Sequence, residues 1–94
     1  MARSGTIRGN LEEIFWSGFP EGVRPLRAPR FLASVTGKFL DEQGRSARAL
    51  LGDPVAVNHL AFLMARPSER LDDDLIEQYC YLARYALRAL AMDE

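Results

Sequence analysis

The chain has 94 residues and a mass of 10.6 kDa, a size at which a single domain is expected. Apolar residues make up 48% and charged residues 27%, which is an ordinary globular composition and excludes a disordered chain. The formal net charge of -1 disfavours a protein built mainly to coat nucleic acid. A single cysteine, Cys80, excludes an internal disulfide and a cysteine-rich zinc cage.

The N-terminal residues show no pattern of a targeting or membrane segment. Residues 1–9 contain two glycines and no apolar run, so we expect a flexible N-terminus and no signal peptide. The longest apolar stretch, 55–65, is far shorter than the roughly 17–25 residues of a membrane span. We therefore expect a cytoplasmic protein without membrane contact. Arginine supplies all the basic residues except Lys38, which favours a bacterial, GC-rich origin.

The first predicted helix is short and is followed by an irregular linker. Asn10 and Glu13 have the spacing of a capping box, and Gly18 is typical of a helix end. Three prolines and one glycine interrupt residues 19–29, so no regular element is expected there. Strand signals are weak throughout the chain, and helices must therefore supply the core.

Three further predicted helices follow in the middle of the chain. Pro29 opens an amphipathic helix that ends at Gly44, and residues 47–51 form a short helical segment before Gly52. Asp53 and Pro54 are a strong start signal for the next helix, which runs to about Arg66. Its apolar residues cover nearly the whole circumference and predict a central, buried helix: Val55, Ala56, Val57, Leu60, Ala61, Phe62, Leu63 and Met64.

The last predicted helix is the longest and carries two adjacent apolar stripes. An acidic run, 72–74, precedes it and suits the positive end of the helix dipole. So wide an apolar sector predicts packing both within the subunit and against a second copy. The expected homodimer interface comprises Leu75, Tyr79, Leu82, Ala83, Leu87 and Leu90. The predicted fold is all-α: one domain, 1–94, in a compact bundle of four to five helices, with a Pro/Arg-rich linker after the first and a long C-terminal helix.

Catalytic and ligand-binding motifs are not recognisable in this sequence. His59 is the only histidine and lies among apolar residues without a motif partner, so we interpret it as structural. Cys80 lacks a second cysteine nearby and is typical of a packing residue. The acidic run 72–74 is better explained by helix capping than by magnesium binding. We expect no enzyme activity, no metal and no cofactor.

Aromatic and basic residues predict a surface for a protein partner. On the last helix, such residues recur at i, i+3, i+4 and i+7, and both Tyr and Arg are enriched among binding hot spots. The Pro/Arg-rich region adds similar residues on a stiff segment. The predicted partner-binding residues are Trp16, Phe19, Arg24, Arg27, Tyr81, Arg84, Tyr85 and Arg88.

These features favour a small non-catalytic regulator that acts through protein–protein contact, as an adaptor, anti-activator or inhibitor of a partner such as a transcription regulator. The alternative is a DNA-binding regulator, because residues 39–50 read as helix, glycine turn and Ser-capped helix. Arg45 and Arg48 would then contact phosphate. The short second helix and the acidic pI of about 5.8 make nucleic acid the less favoured partner.

Overall fold

Four helices and no strand make up the described part of the chain, residues 26–92 and 94 of a computed structural model. They are α1 (Pro29–Gln43), α2 (Ala47–Leu51), α3 (Pro54–Met64) and α4 (Asp73–Met92). The all-α prediction is confirmed for these residues. The first predicted helix, most of the linker and the expected flexible N-terminus lie outside the described residues.

Helix α1 begins and ends, and helix α3 begins, where the sequence signals predict, whereas α3 ends at Met64, two residues before the expected Arg66. Proline stands in the first turn of both, where a missing N–H costs nothing. At the end of α1, Gly44 takes a left-handed conformation with φ of 64°, and its N–H donates to the Leu40 carbonyl at 3.0 Å. At the start of α3, Asp53 Oδ1 accepts from the N–H groups of Val55 at 3.1 Å and Ala56 at 3.4 Å.

The short helix α2 is capped by the residue that precedes it and by a second residue far along the chain. Ser46 Oγ accepts from the Ala49 N–H at 3.1 Å. The Glu94 carboxylate accepts from the N–H groups of Ala47 at 2.7 Å and Arg48 at 3.4 Å. These contacts satisfy backbone donors that a helix N-terminus leaves without partners, and they join the end of the chain to α2.

The acidic run before α4 acts as a helix cap. Asp72 Oδ1 accepts from the Leu75 N–H at 2.8 Å, while Asp73 and Asp74 occupy the first turn with exposed side chains. Both carboxylates lie where the helix dipole favours negative charge. The capping interpretation of the run is thus supported by a direct hydrogen bond.

Helix α4 provides the largest part of the core and packs against all three other helices. Its two apolar stripes are buried within the subunit, with Tyr79, Ala83 and Leu87 at 0% exposure. Of the six residues expected to form a dimer interface, Leu75 is partly buried and five are buried: Tyr79, Leu82, Ala83, Leu87 and Leu90. The expectation that these residues face a second copy is corrected for the five buried ones, because α1, α2 and α3 cover them within the subunit.

Helix α3 is not buried on all sides, contrary to the sequence prediction. Leu60, Ala61 and Met64 face the core, whereas Val55 is 77% exposed and Phe62 is 54% exposed. The physical reason is the arrangement of the neighbours. Contacts with α1, α2 and α4 all fall on one side of α3, so the opposite side remains in solvent although its residues are apolar.

None of the helices in the described ranges is long and apolar enough to cross a membrane.

Candidate functional site

An exposed row of apolar side chains runs along α3. It consists of Val55, Phe62 and Leu63, with exposed fractions of 77%, 54% and 40%. Val55 and Phe62 are seven positions apart, about two helical turns, and therefore lie on the same face. We call these three residues the α3 apolar row.

Contacts on both sides define the limits of this row. Towards α1, the exposed His59 meets the Phe39 ring edge-on, with 5.2 Å between ring centroids and an interplanar angle of 88°. Towards α4, Cys80 Sγ donates to Asn58 Oδ1 at 3.0 Å. Val55 and Phe62 lie between these two contacts on the helical surface, and Leu63 lies beyond His59 towards α1.

The predicted aromatic and basic stripe of α4 lies on the molecular surface. Arg84 and Arg88 are exposed, Tyr81 is 37% exposed and Tyr85 is half-buried. Burial, followed by the neighbouring Tyr81 hydroxyl, raises the pKa of Tyr85. The structure thus brings these four predicted partner-binding residues together on one helix face.

The apolar row and the α4 stripe adjoin each other across the contact between Asn58 and Cys80. Asn58 lies six residues before the end of α3 and Cys80 seven residues after the start of α4, which is the register of an antiparallel helix pair. In this register Val55 is level with Ala83 and Phe62 is level with Ile76, so each lies within one residue of the level of Arg84 and Glu77 respectively. We call the combined surface the α3–α4 face.

Arg27 does not belong to this face. Its Nη1 donates to the Met64 carbonyl at 2.8 Å, and its guanidinium carbon lies 3.9 Å from the centroid of the Phe31 ring. A guanidinium at the last carbonyls of a helix suits the negative end of the dipole, so Arg27 stabilises the end of α3. The other predicted partner-binding residues of the linker region, Trp16, Phe19 and Arg24, lie outside the described residues.

A polar cluster fixes the connection between α3 and α4 on the far side of α4. Tyr79 Oη donates to Glu69 Oε1 at 2.6 Å, and the same oxygen accepts from the Arg66 N–H at 2.9 Å. Burial and then the Glu69 carboxylate raise the pKa of Tyr79 to about 12. The hydrogen bond from Tyr79 is in turn the main cause that lowers the pKa of Glu69. The proton therefore stays on the Tyr79 hydroxyl, and the hydrogen bond to Glu69 stabilises the connection between α3 and α4.

His59 and Cys80 both make contacts within the described part of the subunit. The described contact of His59 is with an aromatic ring, and the Cys80 thiol is buried against an amide oxygen. Within residues 26–92 and 94, no group of three or more His, Cys, Asp or Glu side chains could hold a metal ion.

The two arginines predicted to contact DNA are engaged within the subunit. Arg45 Nη1 forms an ion pair with Asp53 Oδ2 at 3.0 Å, and this contact is the main cause that lowers the pKa of Asp53. Arg48 Nη2 donates to the Ala91 carbonyl at 3.2 Å. Both side chains thereby help to hold α2 against its neighbours.

Comparisons with protein-family models, with curated proteins and with solved structures find no match for this chain. The candidate site therefore depends on its geometry alone. Its apolar half was missed from the sequence, although a signal exists. Asn58 and His59 are the polar residues of α3, and they lie on the same side as the exposed row.

Proposed function

We propose that this chain is a small non-catalytic protein-interaction domain that acts as a regulator. Its function would be that of an adaptor, anti-activator or inhibitor that sequesters a protein partner such as a transcription regulator. The observation that carries the proposal is the α3–α4 face, where exposed apolar side chains adjoin two tyrosines and two arginines. Contiguous apolar patches with a polar rim are typical of interaction sites.

The composition of this face suits recognition of another protein. Tyr and Arg are enriched among binding hot spots because a ring buries a large area at a small entropy cost, while a guanidinium both pairs and stacks. Val55 and Phe62 contribute little to the core of the subunit because they face solvent. Fully burying such a side chain in an interface yields about 1.5–3 kcal/mol.

DNA binding remains the alternative, and the contacts of α2 weigh against it. The order of α1, Gly44 and α2 matches a helix-turn-helix, but α2 has only five residues to present in a groove. Arg45 and Arg48 would have to leave Asp53 and the Ala91 carbonyl before they could contact phosphate. The acidic side chain of Glu94 also occupies the N-terminus of α2, where a phosphate would otherwise dock.

Quantitative affinity capture from a lysate of the source cells tests the proposal. The immobilised chain is compared with Phe62→Asp, which places a charge in the α3 apolar row, and with Ser34→Asp at an exposed site of α1. We expect one defined protein to be retained by the wild type and by Ser34→Asp and lost with Phe62→Asp. Tyr85→Ala and Arg88→Ala should each weaken its binding by about 1–3 kcal/mol.

A salt series with labelled duplex DNA distinguishes the alternative. Phosphate contacts weaken steeply as ionic strength rises, whereas an interface centred on apolar and aromatic groups weakens less. Tight binding to DNA at physiological salt that disappears in the Arg45→Ala, Arg48→Ala double variant would contradict the protein-interaction proposal. Equal capture by wild type and Phe62→Asp would remove the α3–α4 face from it.

A further inference from the structure

The exposed side of α4 carries an ordered line of charges with a tyrosine at its centre. The line is Asp73, Glu77, Tyr81, Arg84 and Arg88, at successive spacings of four, four, three and four residues. Such spacings keep side chains on one helical face. All five residues are exposed, so the face is acidic near the start of α4, aromatic in the middle and basic towards its end.

This line is symmetric about its centre. Asp73 and Arg88 are equidistant from a point between residues 80 and 81, and Glu77 and Arg84 have the same midpoint. Val55 and Phe62 of the α3 apolar row have their midpoint between residues 58 and 59. The hydrogen bond between Cys80 and Asn58 places the two midpoints within about one residue, or 1.5 Å, of the same level.

The four charges of this line have no partners within the described residues. Asp73, Glu77, Arg84 and Arg88 form neither an ion pair nor a side-chain hydrogen bond with any other residue of 26–92 and 94. They also cannot neutralise each other along α4. Seven residues of helix separate Glu77 from Arg84 by about 10 Å, well beyond ion-pair distance.

We propose that the α3–α4 face binds a second copy of this chain about a two-fold axis at the level of the contact between Asn58 and Cys80. The two α4 helices would run antiparallel. Asp73 would then lie opposite the partner's Arg88, and Glu77 opposite the partner's Arg84. A two-fold axis requires a surface that is complementary to itself, and a line of charges that is inverted about its own centre meets that requirement.

The apolar residues follow the same symmetry. Rotation about this axis brings Val55 of one copy towards the level of the partner's Phe62, while Tyr81 lies near the axis itself. The inference rests on the proposed function, since it names the partner of the same face. It also transfers the expected dimer contact from the buried stripes of α4 to the exposed side of this helix.

The size of the face determines the strength of the dimer. The exposed residues named here number about a dozen on each copy, fewer than the 20–30 residues per side of a standard interface. For an interface of this size with charged ends in water, we expect a weak dimer with a dissociation constant on the order of micromolar. The dimer should therefore form at tens of micromolar and dissociate on dilution and in high salt.

Sedimentation equilibrium of two charge variants tests this arrangement. The acidic variant carries Arg84→Glu and Arg88→Glu, and the basic variant carries Asp73→Arg and Glu77→Arg. Each variant alone has like charges along the whole line, so it should be monomeric at concentrations where the wild type is twice 10.6 kDa. An equimolar mixture should restore the dimer, because every pair across the axis is again of opposite charge.

Controls keep the result interpretable. Lys38→Glu changes an exposed charge of α1 and should leave the wild-type dimer unchanged. Circular dichroism and thermal melting show that each variant is folded, and recovery of dimer in the mixture is itself evidence of folding. A monomeric wild type at every concentration would overturn the inference, and so would dimerisation of either variant alone at the wild-type strength.

The two proposals can fail separately. A monomeric chain that captures another protein, with loss of capture in Phe62→Asp, would overturn the second-copy inference and support the regulator proposal. A dimer that responds to the charge variants, in a chain that captures no other protein, would support the inference and contradict the regulator.

Discussion

Helices α3 and α4 use their apolar residues in opposite ways. Helix α3 is apolar around most of its circumference, yet Val55 and Phe62 are among the most exposed large apolar side chains of the described part. Helix α4 has one apolar side and one polar side, and it buries most of its apolar side, including Leu87 and Leu90. Total apolar content therefore does not decide which helix is central.

The position of each helix among its neighbours explains the difference. The 20 residues of α4 form a surface long enough for α1, α2 and α3 to pack on it side by side. The 11 residues of α3 offer one side to these same elements. In a bundle this small, only one helix can be surrounded, and the longest helix offers the most contact area. An apolar residue left outside then becomes available to a partner.

The largest expected effect directly contrasts the two helices. Leu87→Ala should lower the free energy of unfolding by about 2–5 kcal/mol, because it opens a cavity at a fully buried position. Phe62→Ala should change it by less than about 1 kcal/mol, since the ring is more than half in solvent. Urea denaturation at concentrations where the chain is monomeric measures both. An equal decrease in the free energy of unfolding for both variants would show that Phe62 of α3 is buried in solution. It would contradict the difference between the two helices.

A smaller effect distinguishes the buried and exposed tyrosines of α4. Tyr79→Phe removes the hydroxyl that donates to Glu69 and should reduce the free energy of unfolding by about 1–2 kcal/mol. Tyr81→Phe is the matched control on the exposed side and should have almost no effect. Similar values for the two variants would contradict the role assigned to the pair of Tyr79 and Glu69.

The same pair has a signature in the pH dependence of stability. The pKa of Tyr79 is about 12 in the folded chain, against an ordinary value of 10.0. Between these values the unfolded chain has released the proton while the folded chain retains it, so stability decreases as pH rises. The Glu69 pKa is lowered, so its contribution is present above the ordinary value of 4.5 and lost as pH falls through the folded pKa. Tyr79→Phe should weaken both dependences.

The smallest expected effect concerns the polar side of α3. His59→Gln should shift the free energy of unfolding by no more than about 0.5–1 kcal/mol, because the exposed imidazole has one edge-on contact with Phe39. Loss of a measurable catalytic turnover in this variant, with unchanged circular dichroism and thermal midpoint, would contradict the non-catalytic proposal.

The helix boundaries were predictable because local chemistry determines them. Ser46, Asp53 and Asp72 accept hydrogen bonds from the turn that follows each of them, and Gly44 ends α1 in a left-handed conformation. These signals involve residues within a few positions of each other. The sequence pattern therefore predicts the helix boundaries without information about the tertiary arrangement.

Which faces are exposed was only partly predictable, since exposure depends on contacts between distant residues. Tyr81, Arg84 and Arg88 were placed correctly on the surface because they lie opposite the apolar stripes of the same helix. The exposure of Val55 was missed, because apolar residues around most of α3 outweigh the weak signal of Asn58 and His59, its two polar residues. The internal partners of Arg45 and Arg48 were missed for a related reason. These partners are the Asp53 side chain just before α3 and the Ala91 carbonyl of α4, and no local sequence pattern predicts such contacts.

The cap that Glu94 places on α2 makes the folding of these two segments interdependent. A helix of five residues is too short to persist alone in water, and two of its first N–H groups are satisfied from 46 and 47 positions further along the chain. The entropy cost of closing so long a loop must be met by the docking of α4. We therefore expect α2 to form only once α4 has docked, and we expect opening of the last turn of α4 to release α2 as well. The two ends of this loop behave as one cooperative unit.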